Sequence, residues 1–244
     1  MAEPLLAPSG GVPDLIDSSD SLAQMVAELK KGSGPIAIDV ERASGYKYFA
    51  RAYLIQIKRK DGGLHLIDPI AVGDSERWNE LNETFADEEW IIHASTQDLP
   101  SLRELGINPK RIFDTELAGR IAGCERVGLG PLTEQLLGVT LAKEHSAVDW
   151  SIRPLRPEWL NYAALDVELL VELRDEIEKL LIENGKLTWA IEDFSAILAT
   201  PAAQARKEPW RRTSGMHKVR DPKMLAIIRE LWFARDEFAK SIIH

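Results

Sequence analysis

Apolar residues along the chain fall into helical and strand-like runs. Leu22, Met25, Val26 and Leu29 recur at helical spacing, and Ser18, Ser19 and Asp20 stand where a helix is capped. That pattern predicts a helix to about Lys30, ended by Gly32, Ser33 and Gly34. Pro35–Glu41, Ala52–Lys58 and Leu64–Asp68 are short and apolar, and Asp61, Gly62 and Gly63 join the last two as a hairpin. Glu76–Phe85 reads as a helix, and Trp90–His93 suits a buried strand. Helices are expected over Gln97–Leu105, Thr115–Ala122 and Pro131–Leu137, with a short strand near Arg111–Phe113. One long amphipathic helix is expected from Pro157 to about Asn184, capped by Gly185, and another over Leu187–Leu198. Strands first, then strands alternating with helices, predict an α/β layered domain with a mixed sheet.

The ends read differently. Residues 1–17 are rich in Pro, Gly and Ala and read as a flexible leader, without the basic start and apolar core of a secretory signal. Residues 18–200 form the expected domain. Residues 201–222, with Pro201, Pro209, Gly215 and Pro222, read as a linker. Residues 223–244 follow, with one amphipathic helix over Met224–Ile243. Its stripe of Leu225, Ile228, Leu231 and Trp232 is one that a lone helix cannot bury. It is expected to pack on the domain, to pack on a second copy, or to stay mobile.

Composition narrows the class. A hydrophobic share of 45% and a charged share of 28% over 244 residues describe a globular chain. The single cysteine, Cys124, leaves no internal disulfide or cysteine-based zinc cluster and fits a reducing cytoplasm. No run approaches the ~20 apolar residues of a membrane span, so no membrane partner is expected. The five histidines, at 65, 93, 145, 217 and 244, lack the paired spacing of a zinc site. Net charge is −9, but unevenly spread: residues 201–244 carry +5, leaving −14 before them. Seven basic against two acidic residues over 206–223 suit either sequence-independent nucleic-acid affinity or a solvated tether.

Candidate chemistry lies in the acidic residues. Asp39 and Glu41 are two apart at a strand end, so both project from one face. Paired carboxylates repel unless a cation lies between them, and Mg²⁺ and Mn²⁺ prefer such oxygen ligands. An exposed acidic strand end is the plainer reading of that pair alone. Asp98 follows the buried run at Trp90–His93, yet Ser95-x-x-Asp98 also matches a helix-capping box. Tyr162 and Asp166 are four apart, on one helix face.

In order and spacing, Asp39-x-Glu41, Asp98 and Tyr162-x-x-x-Asp166 resemble the tyrosine-bearing branch of the DEDD 3′–5′ exonucleases. The flanks are similar to ribonuclease D: Arg51–Ile57, His93–Leu99, Asp149–Leu155 and Leu160–Val167. The resemblance covers about Pro35 to Leu198, and the helix starting near Asp221 resembles the opening of an HRDC domain. The sequence is therefore read as ending within that helical domain, one helix in.

The resemblance implies a ribonuclease H-like mixed sheet flanked by helices, then a linker and the first helix of a truncated helical domain. It implies two Mg²⁺ or Mn²⁺ ions held by Asp39, Glu41, Asp98 and Asp166, with Tyr162 hydrogen-bonding the attacking water. The implied partner is RNA with a free 3′ end, in tRNA or other stable-RNA processing, without a nucleotide cofactor. Arg42, Lys47, Arg51, Arg153 and Arg156 are expected to meet phosphates. Trp150 would stack on a base or anchor the core, and His93 belongs with the RNA contacts. Arg42 departs from the pattern, since an aromatic or bulky apolar residue often follows the first motif's Glu. A DNA-directed exonuclease with the same metal site and a non-catalytic RNA-binding module are the alternatives.

Overall fold

The computed structural model describes residues 2–142, 148–201 and 206–242. Two short strands, β1 (Glu3–Leu5) and β2 (Leu15–Ile16), precede helix α1 (Ser19–Leu29). Next comes an antiparallel meander of β3 (Ser33–Arg42), β4 (Ala52–Lys60) and β5 (Gly63–Ile67). Helices α2 (Pro69–Val72) and α3 (Arg77–Thr84) lead to β6 (Glu89–Ile92), and α4 (Leu99–Glu104) leads to β7 (Arg111–Asp114). Then follow α5 (Thr115–Ala122), α6 (Leu129–Leu137) and β8 (Val139–Leu141). The chain continues with α7 (Pro157–Glu168), α8 (Leu170–Glu183), α9 (Leu187–Ala199) and α10 (Pro222–Ile242).

The main sheet is mixed and six-stranded, in the order β2-β5-β4-β3-β6-β7. Strands β3, β6 and β7 run parallel, with β4 antiparallel to β3. Helix α1 forms where the periodicity predicts it: Ser18 and Ser21 close a capping box, and Leu22, Met25, Val26 and Leu29 are its buried face. The expected mixed α/β architecture is what the chain adopts.

Three expectations need correction. Residues 1–17 are not a free leader: β1 pairs with β8, and β2 pairs with β5. Sheet edges offer unpaired backbone groups, and a short extended segment satisfies them. Side chains add to the hold, because Ser9 donates to the Glu168 carboxylate at 2.7 Å and Asn161 Nδ2 donates to the Leu6 carbonyl at 2.8 Å.

The long helix from Pro157 is broken at Leu169 (φ −114°, ψ 10°) into α7 and α8. Helix α7 packs Trp159, Ala163 and Ala164 over β4 and its neighbours, whereas α8 turns Leu170, Leu173, Ile177 and Leu181 towards α5 and α6. The break lets each half face its own partners. The linker is not an extended tether throughout: it makes 3₁₀ turns at Pro209–Arg212 and Met216–Lys218 and buries Trp210 against α10. Strand β8 and the single turn of α2 are too short for a periodic signal and were not expected.

Helix α10 lies where the last amphipathic run predicts it, with Ile243 and His244 outside the described residues. It touches the domain, since Tyr48 Oη donates to Asp236 Oδ1 at 2.7 Å and Lys240 lies over the Tyr48 ring. Leu225, Ile228 and Trp232 are half-buried, while Leu231 is 65% exposed. Among the described residues no helix is long and apolar enough to cross a membrane.

Candidate active site

Asp39 and Glu41 share a face of β3 because strand side chains alternate. Their cross-strand partners in β4 are Gln56 and Leu54. Leu54 packs in one cluster with Trp159, Ala163 and Ala164, so α7 covers that face of the sheet. The four-residue spacing on α7 then brings Tyr162 and Asp166 to the same cleft. Strand β6 runs parallel to β3, so the chain leaving its C-terminal end delivers Asp98 to the same edge of the sheet.

The five residues line one cleft of about 250 Å³, together with Val40, Arg42, His93, Ala94, Gln97 and Leu129. Carboxylate oxygens of Asp39, Glu41 and Asp166 lie within 4.8 Å of one another. Asp98 stands apart from that trio, with Oδ1 3.4 Å from the Arg42 guanidinium.

Burial and mutual repulsion set the protonation of this cluster. Burial pushes the Asp39 carboxyl up to about 6, against the pull of Arg42 and the Val40 backbone. Burial, then the charges of Asp39, Asp166 and Asp98, push Glu41 up to about 10. Asp98 rises to about 8 through burial and then the Asp39 charge, with Arg42 opposing. Burial, then Asp39 and Asp98, hold Asp166 well above the carboxylate range. Crowded buried carboxylates find relief only in protons or a cation. Hard oxygen donors at this spacing suit a divalent cation such as Mg²⁺ or Mn²⁺. Burial and the same carboxylates also raise the Tyr162 phenol, so it keeps its proton at neutral pH.

Two residues missed in the sequence position the carboxylates. Gln56 is fully buried, and with its amide nitrogen turned to Asp39 it donates to Oδ2 at 3.2 Å and to the main-chain oxygen at 2.7 Å. That amide orientation is assigned from the hydrogen-bond pattern, because the opposite one sets like groups face to face. The available signal was one amide within an apolar strand.

Asp114, buried at the end of β7, holds the turn that carries Asp98. It accepts from the backbone of Ala94 and Ser95, from Ser95 Oγ at 2.7 Å, and from the backbone of Glu116 and Leu117. Ala94 sits in the left-handed region at φ +56°, a conformation unusual for a residue with a Cβ. The capping box expected of Ser95 and Asp98 does not form: Ser95 is taken by Asp114, and Asp98 makes no side-chain cap bond. The Asp98 carboxylate is thereby left for the cleft.

The description "3′-5′ exonuclease" matches residues 13–182, most of the chain. The chain belongs to the 3′–5′ exonuclease family. Among curated relatives it is similar to "Ribonuclease D" of Xanthomonas oryzae pv. oryzae, 33% identical over 68% of this chain and 46% of that protein. Two solved structures share the fold. A protein from Bifidobacterium adolescentis is 44% identical, with a TM-score of 0.92 over 99% of this chain and 59% of that one. Escherichia coli RNase D, described as an exoribonuclease involved in structured RNA processing, is 25% identical, with a TM-score of 0.74 over 94% of this chain and 65% of that one. The chain spans about half the length of the curated relatives it matches.

In this member of the exonuclease family, the residues expected to meet RNA divide. Arg42 and His93 line the cleft, with His93 Nδ1 2.9 Å from Thr115 Oγ1 and burial lowering the His93 pKa. Trp150 does not qualify: it is 1% exposed and packs edge-on against Trp159, so it anchors the core. Arg153 is also structural. Its guanidinium clasps both Asp68 carboxylate oxygens and donates to the carbonyls of Tyr53 and Trp150, leaving it no free donor face for a phosphate. Arg156 lies over the Trp159 ring. Arg51 lies outside the carboxylate cleft, beside Phe49, lining a hollow with Pro69 and Ser101. Among the histidines, His65 is buried against the Gly62 carbonyl, and His145 and His244 lie outside the described residues.

Proposed function

We propose that this chain is a metal-dependent 3′–5′ exoribonuclease that shortens RNA to nucleoside 5′-monophosphates. The observation that carries the reading is the carboxylate trio of Asp39, Glu41 and Asp166 within 4.8 Å, opposed by Asp98 and flanked by Tyr162 in one cleft. Asp39, Glu41, Asp98 and Asp166 would hold two Mg²⁺ or Mn²⁺ ions. When bound, the metals supply an activated water and charge stabilisation for the leaving 3′ oxygen. The protein's own work is to hold and orient. Gln56 fixes the Asp39 carboxylate, and Asp114 fixes the turn that presents Asp98. Tyr162 keeps its phenolic proton and orients the attacking water through a hydrogen bond at Oη, since a phenol with a raised pKa is a poor base.

RNA is the substrate favoured by the similarity to proteins named ribonuclease D, and stable-RNA or tRNA 3′ trimming is the role we assign. We read α10 as the opening of an HRDC-like helical domain. A lone, partly buried cysteine agrees with a cytoplasmic setting. The test is release of mononucleotides from 3′-labelled single-stranded RNA with Mg²⁺, with EDTA as the control and DNA of the same sequence beside it. Mononucleotides released from RNA only with metal support the reading. RNA retained uncleaved under both conditions would make the protein a binding module, and faster cleavage of DNA would reassign the substrate.

A further inference from the structure

Arg42 is the arginine among the residues that line the carboxylate cleft, and its position departs from strand alternation. Asp39 and Glu41 point into the cleft, so strict alternation would send Arg42 to the opposite face of the sheet. The pairing slips at this point. Glu41 is opposite Leu54, whereas Arg42 is opposite Ala52, so β4 carries Tyr53 as an extra residue. A bulge re-aims the side chains around it. The result is a guanidinium in the cleft, donating to the Gln97 carbonyl at 2.6 Å and lying 3.4 Å from Asp98 Oδ1.

This ion pair divides the four carboxylates into two kinds. Asp39, Glu41 and Asp166 lie oxygen to oxygen and need protons or a foreign cation. Asp98 is the one with the Arg42 guanidinium at ion-pair distance, and the same charge pulls on Asp39 and Glu41 from further off. The Asp98 side chain is 5% exposed, whereas that of Arg42 is 24% exposed, so the guanidinium reaches solvent more than the carboxylate it faces. A divalent ion that uses Asp98 Oδ1 competes with the guanidinium for that oxygen. An arginine released from Asp98 frees part of its fork of donors, and such a fork suits the phosphate of a nucleotide entering the cleft. The bonds to Gln97 offer a pivot: Nη1 keeps the main-chain carbonyl at 2.6 Å, while Nη2, which donates to Gln97 Oε1 at 3.3 Å and faces Asp98 Oδ1, changes partner.

We propose that Arg42 is an exchangeable counter-cation, holding Asp98 in the absence of substrate and releasing it to a divalent metal as the guanidinium turns to the phosphate of the 3′-terminal nucleotide. The proposal rests on the exonuclease reading above. It makes a nucleotide phosphate and the metal at Asp98 bind with positive linkage, and linkage is reciprocal.

The experiment counts Mn²⁺ bound to the full chain by electron paramagnetic resonance, with and without 5′-AMP as the phosphate probe. Wild type, Arg42→Gln, Arg42→Lys and Asp98→Asn are compared, and thermal melting checks that each is folded. Asp98→Asn identifies the Mn²⁺ class that depends on Asp98, by losing it. In Arg42→Gln without nucleotide that class is expected to tighten about tenfold, inside the ordinary 5- to 150-fold range of site coupling. Saturating 5′-AMP is expected to tighten it at least about fivefold in wild type and less than about twofold in Arg42→Gln, with Arg42→Lys between them. An unchanged Asp98-dependent class in Arg42→Gln, or an equal effect of 5′-AMP on both proteins, overturns the exchange while leaving the metal site standing. If Asp98→Asn loses no Mn²⁺ class, the metal reading of Asp98 fails and the exchange fails with it.

Discussion

Replacing Asp39 by Asn probes the carboxylate cluster where its members meet. Asp39 contributes the foremost charge, after burial, in raising Glu41, Asp98 and Asp166. Its own carboxyl is raised from 3.8 to about 6. Between those values the unfolded chain gives up the proton while the folded protein keeps it. The folded state then binds more protons, so stability falls as pH rises through that window. Asp98, raised from 3.8 to about 8, extends the loss to about pH 8.

At about 1.4 kcal/mol per pKa unit, the Asp39 shift of roughly two units costs the metal-free protein about 3 kcal/mol above pH 6. In a domain of this size about 1 kcal/mol moves Tm by roughly 2–4 °C. Calorimetry in EDTA is therefore expected to find Asp39→Asn melting about 6–12 °C above wild type at pH 8. The difference should largely close by pH 4, where folded Asp39 is protonated and the unfolded carboxyl, near its ordinary value of 3.8, is only about half ionised. Saturating Mg²⁺ should narrow or reverse the order at pH 8, because ions that bind only the folded state stabilise the chain that holds them better. A gap of equal size at pH 4 and pH 8, or a wild type more stable than the variant at pH 8 in EDTA, would refute the repulsion argument.

Each of Asp39→Asn, Asp98→Asn and Asp166→Asn is expected to leave less than about a tenth of the Mg²⁺-dependent hydrolysis; a tenfold loss is only about 1.4 kcal/mol of barrier, so a residue whose variant keeps more is not a ligand. Tyr162→Phe should slow turnover by about 10²–10⁴ with RNA affinity unchanged, and unaltered single-turnover rates would assign the ring to packing. Asp114→Asn keeps one acceptor oxygen but leaves buried donors on the other side facing an amide, a loss of about 1–3 kcal/mol that should lower Tm by roughly 2–12 °C; normal hydrolysis rates in the folded variant would mean that the 94–98 turn does not depend on Asp114. Deletion after Thr200 should spare hydrolysis of short RNA, because all five cleft residues precede it, while binding of long RNA weakens and its salt slope falls by about one or two, as for two or three lost phosphate contacts. An equal salt slope in the two chains would make the basic segment a tether.

The main sheet was legible because its signals are local. Ile, Leu and Val runs in Pro35–Glu41 and Ala52–Lys58, with the Asp61–Gly63 turn between β4 and β5, need no distant residue to be read. The leader was misread for the opposite reason. Nothing within Glu3–Leu5 or Leu15–Ile16 announces a strand, because each is held by a sheet edge that other parts of the chain create. The split between α7 and α8 was hidden in the same way, since the apolar period runs on through Leu169 and only the differing partners on either side require a turn there.

Within the site, spacing was enough for Asp39 with Glu41 and for Tyr162 with Asp166, because strand and helix geometry alone decide which faces they share. Arginines and tryptophans were harder, because their side chains reach many environments. Arg153 next to the third motif resembles a phosphate ligand until Asp68, distant in sequence, takes its guanidinium. Asp98 is the sharpest case, because Ser95-x-x-Asp98 is the same four-residue pattern whether it caps a helix or feeds a cleft. The choice falls to Asp114, nineteen residues beyond Ser95, which takes the Ser95 hydroxyl and backbone and so removes the capping alternative. A motif read within its own window carries two meanings here, and the contact that selects one of them is made by the neighbouring parallel strand.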